Sequence, residues 1–265
     1  MEKIILDEKE IIEFYYKLNN IHKVAKYFGV SLTPIRRVLK SNGFILNNRR
    51  YEVDETYFDV IDTEEKAYWL GFLFADGYIR ERKSGMSLEL KLSIKDINHL
   101  ELFRNCIKSN HVIQKGWNKV KYKGGLSNSE ICSLAIYSKK MVESIKKLGI
   151  HTRKTFTIGT PKIDEVMFRH FIRGYFDGDG SFSFKPGKYG KTQIVSASEE
   201  FKKFIIEELK KNDIEIKLYS EIKLQIQNNL NNNKFYNFIY ENSKIYLKRK
   251  KEKYEEFRRY YGYDN

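Results

Sequence analysis

The chain has 265 residues, with 49 Lys and Arg against 35 Asp and Glu, a formal net charge of +14 and 41% hydrophobic residues. It is too apolar for a disordered chain and too polar for a membrane protein, and it lacks the ~18-residue apolar run of a spanning helix. Two cysteines, Cys106 and Cys132, cannot build a disulfide framework or a zinc site, and acids at Glu2, Asp7 and Glu8 come too early for a secretion signal. The expectation is a reduced, soluble, cytoplasmic protein of roughly two domains, not associated with membranes, whose partner is a polyanion. A solvated lysine-rich surface would give the same charge.

The first fifty residues read as three short helices, near 9–18, near 22–28, and from Ser31 to Gly43. Gly29-Val30-Ser31 turns the chain between the second and third, with Ser31 as N-cap. Residues 14–50 hold eight Lys and Arg and no acid. A helix, a short glycine turn and a basic second helix form the helix-turn-helix pattern. Thr33, Arg36, Arg37 and Lys40 are then expected to face DNA, with Ile35, Val38 and Leu39 packing inward. The expected division is a helix-turn-helix domain over 1–45, a linker over 46–62, and two similar halves over 63–160 and 161–265.

The halves rest on an internal repeat. Ala67–Tyr78 recurs as His170–Ser181, displaced by 103 residues, each copy an apolar helix ending in Asp-Gly. Thr63 is the expected cap of the first helix. Two strands, an amphipathic helix, two more strands and a last helix follow in each copy, so the order is αββαββα twice, an α+β fold. Alternation of apolar and polar residues is clear over 215–227 and 87–94, which predicts one buried and one wet sheet face. Ile216, Leu218, Ile222, Leu224 and Ile226 are placed on the buried face. The residues expected to reach DNA from the sheets are Arg80, Arg82, Lys91, Lys119 and Lys121 in the first copy. In the second they are Lys185, Lys191, Gln193, Lys217, Tyr219, Lys223, Gln225 and Gln227.

The two Asp-Gly helices carry the chemistry. Gly71 with Ala75, and Gly174 with Gly178, form small-residue stripes at i, i+4 that let two helices approach closely. Gly77 and Gly180 stand where left-handed caps are expected, so Asp76 and Asp179 would sit at adjacent helix C-termini. Each such end already carries about half a negative charge. Two carboxylates there make sense if divalent cations lie between them, and hard oxygen ligands suit Mg²⁺, with Mn²⁺ able to substitute. Carboxylates, metal and a basic surface together suggest phosphodiester hydrolysis.

At Trp69–Gly77 and Ile172–Gly180 the sequence resembles the nine-residue signature of the LAGLIDADG homing endonucleases, in its loose form. The resemblance covers about residues 63–260. It implies a pseudo-symmetric monomer that needs no protein partner. The helices would pair between halves, and saddle-shaped sheets would sit in the major groove of double-stranded DNA. The last acid of each motif would bind metal at the scissile phosphates across the minor groove. Those acids are Asp76 and Asp179, with the backbone carbonyls of Ala75 and Gly178 as further metal ligands. A lysine after the last helix of each half corresponds to Lys154 and to Lys250, with Lys251 the alternative in register. Ser93 and Ser196 stand near the place of a water-orienting residue. The variable sixth motif position is Phe74 in one copy and Asp177 in the other, and Asp177 is expected to cap or bond locally. The N-terminal helices resemble the DNA-binding appendages of some phage and bacterial members.

Three functions compete: a sequence-specific double-strand DNA endonuclease, a non-catalytic DNA-binding regulator, and an RNA intron maturase. A regulator would be expected to lose the acids, which are present, and a helix-turn-helix favours duplex DNA over RNA.

Overall fold

The structure is a computed structural model that describes residues 7–44, 46, 51–82, 85–122, 125–152 and 158–263, without the side chains of 120–122, 126 and 127. It forms two compact units, Met1–Glu52 and Val53–Asn265.

The first unit holds helices α1 (Glu8–Leu18), α2 (Ile21–Tyr27) and α3 (Leu32–Ser41). Asp7 and Asn20 cap the first two, accepting from Lys9 N at 2.8 Å and His22 N at 2.9 Å. Gly29 turns the chain at φ +64°, a left-handed conformation that glycine adopts without steric cost. Ile11, Tyr15, Ile21, Val24, Ile35, Val38 and Leu39 close the core. Ser31 stands at the N-cap of α3 with extended backbone, but its side chain makes no capping bond.

The second unit begins before the expected end of the linker. Tyr57, Phe58 and Ile61 are buried in its core, Asp54 N donates to Ile107 O at 2.8 Å, and Ser138 donates to Glu55 at 2.6 Å. Only the part before Val53 lies outside this unit. Three large apolar side chains between residues 57 and 61 are poor candidates for a solvated linker, and they cover the first half instead.

From there the two halves run in parallel. The first comprises α4 (Glu64–Asp76), β1 (Gly77–Arg82), β2 (Gly85–Ser93), α5 (Ile97–Cys106), β3 (Gln114–Tyr122), β4 (Gly125–Ile136) and α6 (Lys139–Lys147). The second comprises α7 (Phe168–Asp179), β5 (Gly180–Ser183), β6 (Lys191–Val195), α8 (Glu199–Lys211), β7 (Lys217–Ser220), β8 (Lys223–Ile226) and α9 (Asn229–Tyr240). A further helix, α10 (Lys248–Tyr261), completes it. Each half folds an antiparallel four-stranded sheet with the same strand order, β1-β2-β4-β3 and β5-β6-β8-β7. The fold is α+β, as the repeat implies. Helix α10 was not expected, because ten of its fourteen residues are charged. Its signal is sparse: Lys250, Tyr254, Phe257 and Tyr261 recur on one helical face, and the Tyr254 ring stacks on Phe182 at 3.7 Å.

Helices α4 and α7 form the seam between halves. Thr63 caps α4 by accepting from Lys66 N at 3.3 Å, and every residue from Ala67 to Phe74 is buried. That all-round burial is why α4 is apolar on every face. A Cβ on Gly71 would lie 1.9 Å from the Phe171 carbonyl oxygen, and one on Gly174 would lie 1.9 Å from that of Tyr68. The backbones touch, and only glycine permits it.

Gly77 and Gly180 are not left-handed caps. Both have extended backbone, φ −70° and −88°, because each is the first residue of a strand that leaves the helix without a loop. They are glycine for a different reason: a Cβ would fall 2.5 Å from the carbonyl oxygen of Leu73 or of Phe176 in the preceding turn.

Gly71→Ala or Gly174→Ala is expected to destabilise the second unit by about 3 kcal/mol or more, since the new methyl meets backbone that cannot move aside. Gly116→Ala, with nothing within 4 Å of the added carbon, should stay within ~0.5 kcal/mol of wild type. Urea denaturation of the three variants tests the difference.

Candidate functional site

The two aspartates emerge together from the glycine seam. Beyond Gly71 and Gly174 the helices stay in contact, and a Cβ on Gly178 would lie 2.4 Å from the Ala75 Cβ and 3.1 Å from Asp76 Oδ2. The Asp76 carboxylate therefore lies against the last turn of α7. Asp179 is exposed and Asp76 half-buried. Burial raises the Tyr175 hydroxyl pKa first, and Asp179 and Asp76 both add to that shift. A cavity of about 210 Å³ opens beside the seam, lined by Asp179, Ser196, Tyr175 and apolar side chains.

Among the described residues no three His, Cys, Asp or Glu side chains gather as a metal cluster. The donors that could hold a cation are the two carboxylates with the Ala75 carbonyl; the Gly178 carbonyl, an expected ligand, instead accepts from the Lys250 ammonium. This all-oxygen set at two negative helix ends fits a hard divalent ion that keeps waters or takes phosphate oxygens.

Lys250 lies under the end of α7. Its Nζ donates to the carbonyls of Phe176, Gly178 and Gly180 at 2.7, 3.0 and 2.6 Å. All three N–H donors are used, so in this arrangement the ammonium acts on the site through backbone rather than by touching a phosphate. Burial pulls its pKa down to about 8, against the opposing pull of Asp177, Asp76 and Asp179. Lys154, the expected counterpart, lies outside the described residues. Ser93 and Ser196 each bond locally, accepting from Lys95 N at 3.4 Å and Ser198 N at 3.3 Å.

Asp177 does not bond locally. It is 1% exposed and accepts from Tyr68 of α4 at 2.8 Å, Tyr240 at 2.6 Å and Leu247 N at 2.6 Å. These bonds fix the chain that leads into α10, and with it Lys250 and Arg249. Arg249 in turn grips Asp96 of the first half, Nε to Oδ1 at 3.0 Å and Nη2 to Oδ2 at 2.9 Å. Arg173, which sequence reasoning passed over, is wholly buried and bonds Ile245 O at 2.9 Å, Ile239 O at 2.7 Å and Glu64 at 2.6 Å. The available signal was an arginine at the repeat position where the first copy has Leu70.

The strand register sorts the expected DNA contacts. On the first sheet Arg80, Ser87, Glu89 and Lys91 share the face turned away from Leu88, Leu90 and Leu92. Arg82, at the end of β1, is exposed. Lys91 pairs with Ser133, which pairs with Gln114. Lys119, an odd number of residues from Gln114, therefore belongs to the opposite face. Sequence spacing could not reveal this, because parity on β3 is fixed only by pairing with β4. For Lys121 only the backbone, paired with Leu126, is described. On the second sheet Lys191, Gln193, Lys217 and Gln225 share one face with Ser181 and Ser183. Gln225 is 5% exposed and accepts from Gln193 at 2.8 Å, so Gln193 covers it. Lys185, Tyr219 and Gln227 are exposed and Lys223 half-buried. Leu218 and Ile222 are exposed rather than buried: Leu218 lies opposite Leu224 but on the edge strand β7, every residue of which is exposed, and Ile222 falls in the turn between β7 and β8. In the N-terminal unit Thr33, Arg36, Arg37 and Lys40 are all exposed on α3.

Two expected outcomes follow. Lys250→Met should cost about 3 kcal/mol by leaving buried carbonyls without donors, whereas the exposed Lys248→Met should change stability by less than ~0.5 kcal/mol in the same urea titration. His99, bonded to Tyr68 at 2.9 Å, has its pKa lowered by burial to about 4. The unfolded chain then binds more protons between about pH 6.5 and 4. Stability should fall as pH drops through that window, less steeply in His99→Asn, as measured by denaturation at several pH values.

Residues 168–262 match the family model of the LAGLIDADG-like domain. Replication factor C small subunit of Methanocaldococcus jannaschii is 28% identical over 187 residues, 68% of this chain, and the chain spans about 9% of that protein's length. The solved structure of the homing endonuclease I-WcaI bound to its DNA recognition sequence superposes with a TM-score of 0.55 at 14% identity. It covers 83% of this chain and 92% of that one. The N-terminal LAGLIDADG domain of DUF199/WhiA covers 72% and 90%, at 19% identity and a TM-score of 0.45. Residues 168–262 thus resemble a LAGLIDADG-like domain, and the fold is the one seen in the homing endonuclease I-WcaI.

Proposed function

We propose that the protein is a site-specific endonuclease that hydrolyses both strands of duplex DNA, with Asp76 and Asp179 as the catalytic carboxylates. The observation that carries this reading is the juxtaposition of the two carboxylates at the α4–α7 seam, held there by backbone contact at Gly71 and Gly174. Mg²⁺, which the two carboxylates and the Ala75 carbonyl would hold, would polarise a phosphate oxygen and lower the pKa of an attacking water. The chain's own residues do the rest. Asp76 and Asp179 come from different halves, so each serves one strand. Lys250 ties three carbonyls at the end of α7, offsetting the negative helix terminus and fixing the backbone beside Asp179. Lys91, Lys191, Gln193 and Lys217 lie on the sheet faces that would meet base edges and phosphates. One chain supplies both motifs, which suits a monomer acting on an asymmetric site. The N-terminal unit adds a second DNA contact through Arg36, Arg37 and Lys40.

Cleavage of a randomised duplex library, with Mg²⁺ and with EDTA, tests the reading. The expected result is metal-dependent cutting at one long site, lost by more than about 10³-fold in Asp76→Asn and in Asp179→Asn while binding persists. Enrichment by binding with no cutting would replace the nuclease by a non-catalytic DNA reader, and preference for structured RNA would replace it by a maturase. Deleting residues 1–45 should weaken binding and flatten the slope of log affinity against log salt, by about one unit for every phosphate that the N-terminal helices neutralise. An unchanged slope would remove those helices from the interface.

A further inference from the structure

One acid on the first sheet needs an explanation. Glu89 sits on the same face as Lys91, Arg80 and Ser87, the face proposed to meet a polyanion. A carboxylate there would repel phosphate. It is not loose: its Oε1 lies 2.7 Å from Arg80 Nε, its Oε2 accepts from Arg80 Nη2 at 2.7 Å, and Ser87 Oγ donates to Oε1 at 3.2 Å. Ser87 is itself 4% exposed, so the base of this arrangement is fixed in the sheet. The Arg80 guanidinium also lies 5.8 Å from the Tyr78 ring.

The consequence is a guanidinium with one edge occupied and one edge open. Glu89 accepts from Nη2, and its second oxygen lies beside Nε as an ion pair without a hydrogen bond. Among the described residues nothing else bonds Arg80, so Nη1 and the second Nη2 hydrogen remain as N–H donors beside the carboxylate that holds the group. Two such donors match the O6 and N7 acceptors that guanine presents in the major groove, and no other base shows that pair. A free arginine would have to be ordered on binding, whereas a braced one is already in place. Arg82, two residues along the same strand, has no such brace among the described residues and suits a phosphate instead.

We propose that Arg80 reads a guanine in the half-site bound by the first sheet, and that Glu89, supported by Ser87, is the positioning residue that aims it. The proposal rests on the DNA-binding reading above. It adds the base identity at one position and a role for an acid that the charge pattern alone would count as unfavourable.

The test is binding-site selection from a randomised duplex library in EDTA with the full chain, comparing wild type, Arg80→Lys, Glu89→Gln and Arg82→Lys. Melting temperatures of the four confirm that each variant is folded. Wild type is expected to enrich a site with one guanine that discriminates by about 10- to 100-fold. Arg80→Lys should lose that preference and leave the other positions intact, because an ammonium cannot make the two-pronged contact. Glu89→Gln should weaken the preference at the same position only. If Glu89 acts merely as a surface charge, removing it would raise affinity for all sequences uniformly, and that result would overturn the proposal. So would an enriched site whose profile is the same in wild type and Arg80→Lys, or a guanine preference lost equally in Arg82→Lys. Failure of wild type to enrich any sequence would instead overturn the DNA-recognition reading itself.

Discussion

The backbone contact between Gly71 and Gly174 is the constraint from which the rest of the second unit follows. Helices that touch at the main chain leave no room for side chains between them, so each must be glycine at the crossing. Their C-terminal ends come out side by side, and the residues at those ends are the two aspartates. Since each helix passes directly into a strand, the same contact sets where both sheets begin. Charge and fold are therefore coupled: the carboxylates are neighbours because the glycines are, at an electrostatic cost that the fold accepts.

The seam is reinforced by two straps that cross it in opposite directions. After the last helix of the first half, the chain bonds to the second half: Ser198 donates to Ile158 O at 2.7 Å and Thr160 N donates to Glu200 at 3.0 Å. After α9 the chain returns the contact: Lys244 N donates to Glu64 at 2.8 Å and Arg249 grips Asp96. The straps are equivalent in path but not in chemistry. At the repeat position where α4 has Phe74, packed on Phe171 at 5.0 Å, α7 has Asp177 with three hydrogen bonds. Where α4 has Leu70, α7 has the buried Arg173. Buried polar groups are tolerated only when fully bonded, and here their partners lie on α4, α9 and the segment before α10. At these two repeat positions α7 is held by directional bonds and α4 by packing.

The same directional logic governs the exposed charge. A net charge of +14 attracts polyanions without selecting among them. Selection needs side chains whose geometry is set before binding, and the described sheet faces contain two such arrangements: Arg80 braced by Glu89, and Gln193 bonded to Gln225. Lys250 shows the converse. In sequence it is one of many lysines in a basic stretch, yet its ammonium is buried under the end of α7 and serves the backbone there.

The sequence by itself determined the repeat, the order of elements in each half, the two Asp-Gly helices and the basic N-terminal helices. Each of these rests on local periodicity or on a small residue at fixed spacing, and local rules act within a few residues. It also exposed the resemblance that led to Asp76 and Asp179. Tertiary structure alone decided what depended on pairing or on distant partners. Strand register moved Lys119 to the other face, and the edge position of β7 and the turn after it left Leu218 and Ile222 exposed. Long-range bonds turned Lys250 and Asp177 inward. Helix α10 escaped notice because only one narrow face of it is apolar, and that face has meaning only against Phe182 and the end of α7. Residues 53–62 joined the core because Tyr57, Phe58 and Ile61 find a surface to cover. Periodicity specifies which face of an element is apolar, but only the assembled fold specifies what that face meets.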